Sequence, residues 1–244
     1  MTRYFFALVF VIGLAIGATS CKMNVLRGEG NKTTTNLPVS PFNAVTIDVD
    51  VNTVINVREG ATPGIQIDGY ENLLKHIVAT VDHNRLRITH DLDDTWRMES
   101  EDITVTITVP SLSKLTLMGS ADAVIHGSIT GNAFMLDVSG ACDVIIDNVS
   151  ADSLLVEASG ATDLEIKGGT VKYAEYDING AGEVNAFPLQ SNETIAEISG
   201  AGTSHVTALQ KLTVDISGAG TIKYKGHPVI TKDISGAGTI ADAN

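Results

Sequence analysis

Beyond residue 40 the chain alternates apolar and polar positions with a period of two. Val45-Thr46-Ile47-Asp48-Val49-Asp50-Val51, Gly64-Ile65-Gln66-Ile67-Asp68-Gly69, Arg85-Leu86-Arg87-Ile88-Thr89 and Ile103-Thr104-Val105-Thr106-Ile107-Thr108-Val109 are the clearest runs, and Pro110 stops the last. Such alternation predicts half-buried strands, because successive side chains of a strand point to opposite faces. Leu73 to Val78 reads as a turn or short helix, and Asp91 to Asp102 as an acidic loop. After Leu112 a second, longer period overlies the first. Ser139-Gly140-Ala141 returns with glycines at Gly160, Gly180, Gly200, Gly218 and Gly236, in steps of 20, 20, 20, 18 and 18 residues, and Gly119-Ser120-Ala121 is an imperfect earlier copy. A period near twenty in all-strand sequence predicts a solenoid of stacked coils.

Aligned at the glycine, each repeat has an approach strand, a turn and an exit strand. Val138, Ala158, Ile178, Ile198, Ile216 and Ile234 form one apolar column, and Leu136, Val156, Tyr176, Ala196 and Val214 form a second. After the turn Val144, Leu164, Val184, Ile222 and Ile240 form a third, which Ser204 interrupts. Glycine suits the corner because it adopts positive φ at little steric cost. The expected fold is all-β: a single-stranded, right-handed parallel β-helix over residues 41–244. Its handedness follows the rule for parallel crossovers. Residues 41–112 would be a less regular strand region capping one end, and 113–244 the repeats. Asp233 to Asn244 ends on an ordinary repeat, so a second molecule is expected to cover that rung in a homo-oligomer.

Residues 1–21 read as a secretory leader rather than part of the fold. Arg3 precedes an apolar run from Tyr4 to Ala18, and Ala18-Thr19-Ser20 lead into Cys21. The small-small-Cys ending resembles a bacterial lipoprotein signal, with Cys21 the lipidated first residue and Ala18 where leucine is usual. Residues 22–40, polar and aperiodic, are expected to be a flexible tether. Removing the leader takes Arg3 and no carboxylate, leaving fifteen Lys and Arg against twenty-nine Asp and Glu, a formal charge of −14. That surface repels phosphates, so nucleic acid is excluded as a partner, and membrane contact is expected only through the anchor. With Cys21 lipidated, Cys142 has no disulfide partner. Its repeat slot holds Thr162, Gly182, Gly202, Gly220 and Gly238 elsewhere, so it reads as a small residue in a tight space.

Two carboxylate columns are the candidates for chemistry. Asp137, Glu157, Asp177, Glu197, Asp215 and Asp233 precede the turn, while Asp143, Asp163 and Glu183 follow it and are continued by Thr203, Thr221 and Thr239. Like charges one strand apart in water repel by only about 0.9 kcal/mol, so a solvated face is the plain expectation. Asp143, Asp163 and Glu183 are the candidate ligands if Ca²⁺ binds, since that ion takes six to eight oxygens; no dense Asp/Asn/Gly loop accompanies them, and no cofactor is expected. Asp143 with Asp163 would have the spacing of a retaining glycosidase pair, but every stacked pair shares it. A pectinase-like enzyme usually carries a Gly-His-Gly segment or a site arginine, and no arginine follows Arg97. Catalytic residues are therefore expected to be none. The six histidines, His126 and His205 included, show no metal-ligand spacing. Trp96 beside Arg97 could stack on a sugar or plug a local gap.

Phe42-Asn43-Ala44-Val45, Gly69-Tyr70-Glu71-Asn72-Leu73-Leu74, Arg85-Leu86-Arg87-Ile88, Ile103 to Leu112, Gly119-Ser120-Ala121-Asp122 and the Ser-Gly-Ala-Gly copies together resemble the putative auto-transporter adhesin, head GIN domain family of Bacteroidetes lipoproteins, over roughly residues 41–240. The resemblance implies a secreted or lipid-anchored β-helix, and the family has no established catalytic residues to carry over. The expected function is then a non-enzymatic binding or adhesion module of the outer membrane with a glycan or protein ligand. The alternatives are a pectinase-like enzyme and a periplasmic structural or sensory lipoprotein. Lys22-Met23-Asn24-Val25 follows Cys21 where surface-exported lipoproteins often carry acidic residues, so both sides of the outer membrane stay open.

Overall fold

The computed structural model describes residues 24–93, 95–99 and 102–244; the leader and Cys21 lie outside these. The N-terminal elements are β1 (Asn24–Leu26), β2 (Lys32–Leu37), β3 (Ala44–Ile47), β4 (Asn52–Val57), β5 (Gly64–Tyr70), α1 (Glu71–Leu74), β6 (Ile77–Asp82), β7 (Arg85–His90), β8 (Trp96–Met98), β9 (Thr104–Val109) and β10 (Lys114–Gly119). The repeats hold β11 (Ala123–Ile166), β12 (Gly169–Gly180), β13 (Glu183–Gly200), β14 (Thr203–Gly218), β15 (Thr221–Lys225), β16 (Val229–Gly236) and β17 (Thr239–Asp242).

From β10 onward each coil lies parallel on the one before, with glycine over glycine. Gly119 pairs with Gly140, Gly160 with Gly180, Gly180 with Gly200, Gly200 with Gly218 and Gly218 with Gly236. This is the solenoid that the spacing predicts. All three apolar columns point inward: Val138, Ile178, Ile198 and Ile216, then Leu136, Val156 and Val214, then Val144, Leu164 and Ile222 are buried in one continuous core. Ser204 is buried in the third column, and its hydroxyl has no hydrogen-bond partner. The shortening from 20 to 18 residues falls between β13 and β14, as register shifts after Ala186 and after Ser191.

The corner explains the glycine. A Cβ on Gly140 would lie 1.9 Å from the Gly119 carbonyl oxygen, and one on Gly236 2.5 Å from that of Gly218. Each such carbonyl accepts the N–H of the alanine one coil later, as Ala201 N–H to Gly180 O at 2.9 Å and Ala237 N–H to Gly218 O at 2.8 Å. The corner is therefore a column of stacked peptides with no room for side chains. The following slot decides whether the strand breaks. With Cys142 or Thr162 there, β11 runs on through both corners, whereas strands end at the corners carrying Gly182, Gly202, Gly220 and Gly238. Cys142 is buried, as its slot predicts, and its Sγ–H points at the Gly119 carbonyl, 3.6 Å away.

The N-terminal region contributes two coils to the stack, out of sequence order. β3 lies between β7 and β10, and β4 between β9 and β11, all parallel. Antiparallel strands then close this end: β6 pairs with β7, β5 with β9, and β2 with β5. Two expectations change here. Residues 24–26 and 32–37, placed in a tether, are strands, because β5 leaves an open edge that Lys32–Leu37 completes. The acidic loop contains β8, which pairs in parallel with β1 as a separate two-stranded ribbon.

Candidate functional site

The repeat carboxylates are stacked as their spacing requires, and Asp163, like Asp122 before the ladder, serves the backbone. Asp163 pairs with Glu183 in register, and Asp163 Oδ1 accepts the Glu183 N–H at 3.2 Å; two coils earlier Asp122 Oδ1 accepts the Asp143 N–H at 3.1 Å. Asp143, Asp163 and Glu183 line one open hollow of about 310 Å³. Among the described residues no three acidic, histidine or cysteine side chains converge as a metal-binding group. On the approach strands, Glu197 sits between Asp177 and Asp215. Its carboxyl is raised above the usual range, first by partial burial and then by Asp177, Glu175 and Asp215.

The two histidines on the exit strands have local partners. His126 Nδ1 lies 3.0 Å from Asp147, which also faces Lys167 at 3.5 Å. These contacts, chiefly the hydrogen bond from His126, hold the Asp147 carboxyl below the usual range. His205 stacks on Phe187 at 4.9 Å and 9° between planes, with Lys225 over the other ring at 4.6 Å. Burial lowers the His205 pKa, against the pull of Glu183 at 3.7 Å.

The most site-like feature lies away from the ladders, where the ribbon meets the solenoid. Met98 of β8 is buried and fixes the ribbon to the core. Asn24 N–H to Thr95 O and Glu99 N–H to Leu26 O, both 2.9 Å, close its ends, and Arg27 pairs with Glu99 at 3.3 Å. Between the ribbon and the corners at 48–51 and 118–122 run two adjoining hollows of about 430 and 390 Å³, which share Asp50, Arg97 and Met98 as walls. Trp96 and Met118 line the second, each about 40% exposed, at 40% and 41%. Asp50 Oδ1 accepts the Ser120 N–H at 2.8 Å, which holds the carboxylate at the wall. Asp48, also on the wall, is paired with Arg87. His90 completes this half, and its buried Nδ1 has no hydrogen-bond partner. Sequence reasoning singled out Trp96 and Arg97 but not the cleft, whose opposite wall comes from residues 48–52, nearly fifty positions earlier, and 118–122, more than twenty later.

A stack of parallel coils closed at one end by antiparallel strands, with a cleft at its first corners, defines a β-solenoid. The chain belongs to the family described as putative auto-transporter adhesin, head GIN domain, which matches residues 41–228. A putative adhesin from Bacteroides fragilis is similar over 89% of this chain and 100% of its own, at 25% identity and a TM-score of 0.84. A putative lipid binding protein from Parabacteroides distasonis (22% identity, 91% and 100% covered, TM-score 0.76) and a putative adhesin from Parabacteroides merdae (21%, 91% and 100%, 0.69) share the fold. No curated protein matches the chain. Among the described residues no helix is long and apolar enough to cross a membrane.

Proposed function

We propose that this protein is a non-enzymatic binding module of the cell envelope, anchored in the outer membrane through a lipidated Cys21 and of adhesin type. The observation that carries the reading is the cleft between ribbon and solenoid: a concave, amphipathic surface with an exposed aromatic, held by a core that cannot deform locally without shifting its neighbours. Family membership supports an adhesin-like role at the envelope. The Asp163 carboxylate accepts the Glu183 N–H of the next coil and so has a structural use, which weakens the pectinase-like alternative built on Asp143 and Asp163. The reading includes self-association through the last rung, where β16 and β17 form the outer edges.

Protease treatment of intact cells, compared with lysed cells, tests it. Digestion on intact cells is the expected result; protection until lysis moves the protein to the periplasmic face and replaces adhesion with a structural or sensory role. Release of new reducing ends from polyuronides, abolished by Asp143→Asn, would show an enzyme instead.

A further inference from the structure

We infer that the cleft between the β1–β8 ribbon and the solenoid corner is a binding site for a neutral saccharide. The inference rests on the binding-module reading and names its ligand class. Three of the large apolar side chains left exposed, Val25, Trp96 and Met118, gather here, at 44%, 40% and 41% exposure. A buried core explains none of them, and Trp96 is not the packing plug that a lone loop tryptophan suggests.

The polar wall matches the other half of a sugar. A pyranose presents an apolar C–H face, which suits an indole, and an equator of hydroxyls that both donate and accept hydrogen bonds. Asp50 and Asp122 line the wall as carboxylates, each already taking a backbone N–H, and Arg97 adds a planar fork of donors. Charge-assisted bonds of this sort are the stronger ones and fix orientation. Asp48 and Glu99 are paired with Arg87 and Arg27, and Asp50 and Asp122 accept the Ser120 and Asp143 N–H groups, so the wall is held rigid. The lining holds more carboxylates than cations, which disfavours uronates, sulfated sugars and phosphates. The hollows are open and polar on one side, unlike an enclosed apolar pocket for an acyl chain, which separates this reading from a lipid site.

Trp96 is the single tryptophan of the chain, so its emission reports on the cleft alone. The purified protein is titrated with neutral gluco-, manno- and N-acetylglucosamine oligosaccharides, with oligogalacturonates, and with decanoate. The expected result is a saturable emission change with at least one neutral series. By calorimetry, Trp96→Ala should weaken that binding about tenfold or more, and Arg97→Ala about threefold, while Lys232→Glu at the far end leaves it unchanged. Arg97 is exposed, so its variant keeps the test valid should Trp96→Ala loosen the ribbon. No response to any neutral series, or a response confined to oligogalacturonate or decanoate, overturns the inference. A saturable response accompanied by new reducing ends upholds the cleft and overturns the non-enzymatic reading, so the two fail separately.

Discussion

At the scale of single residues, the corner glycines and one misplaced hydroxyl should dominate the stability map. Gly200 has φ +138°, and a Cβ there would sit 2.4 Å from the Gly180 carbonyl oxygen. Gly200→Ala combines an unfavourable backbone with a clash against a peptide that cannot move alone, and should cost about 3 kcal/mol or more in urea unfolding. Gly60 is the control: its φ is +73° but nothing lies within 4 Å, so alanine there should cost about 1 kcal/mol. Ser204→Ala should go the other way. It removes a buried hydroxyl without a partner from an otherwise aliphatic column and should stabilise the protein by about 1 kcal/mol.

At the scale of elements, the approach strands carry a pH dependence. Glu197 has its pKa raised by burial and by the carboxylates on either side. A raised folded-state pKa means the protonated form suits the fold, so this group's contribution is full below the ordinary glutamate value, about 4.3, and is lost as the pH rises through the folded value. Glu197→Gln should therefore raise the melting temperature modestly at pH 7, and the difference should vanish near pH 4; an equal gain at both would place its cause outside the charge. The same strands show how much could be read in advance. Inward columns, corners and coil spacing follow from alternation and from Gly140 to Gly236, because each is a local periodicity. The order of the first coils does not, since β3, β7 and β10 alternate alike and nothing local says that β3 lies in the middle. The ribbon was less legible still. Three-residue strands are too short for a period, and Asn24 finds Trp96 across seventy-two positions. Half of the candidate site was thus visible, as Trp96 and Arg97, and the other half waited on the fold.

At the scale of the whole molecule, the two ends of the stack differ. One is closed by β2, β5 and β6, while at the other Val229 is 75% and Ile230 37% exposed on β16. Edge strands with unpaired backbone groups pair with whatever offers a matching edge. Light scattering at micromolar concentration should find a dimer that Ile230→Lys converts to monomer; a monomeric parent protein sinks the self-association. The closed end has a mechanical consequence. With Cys21 acylated, any pull between membrane and ligand enters the fold at Asn24, three residues from the anchor and within about 10 Å of it. The first structure to bear that load is the three-residue pairing of β1 with β8, and only then the six-residue pairing of β2 with β5. The weakest joint is thus in series with the cleft and forms one of its walls. Under tension the ribbon would peel before any coil parted, so grip on the ligand would be the first property to yield and the solenoid would survive to bind again.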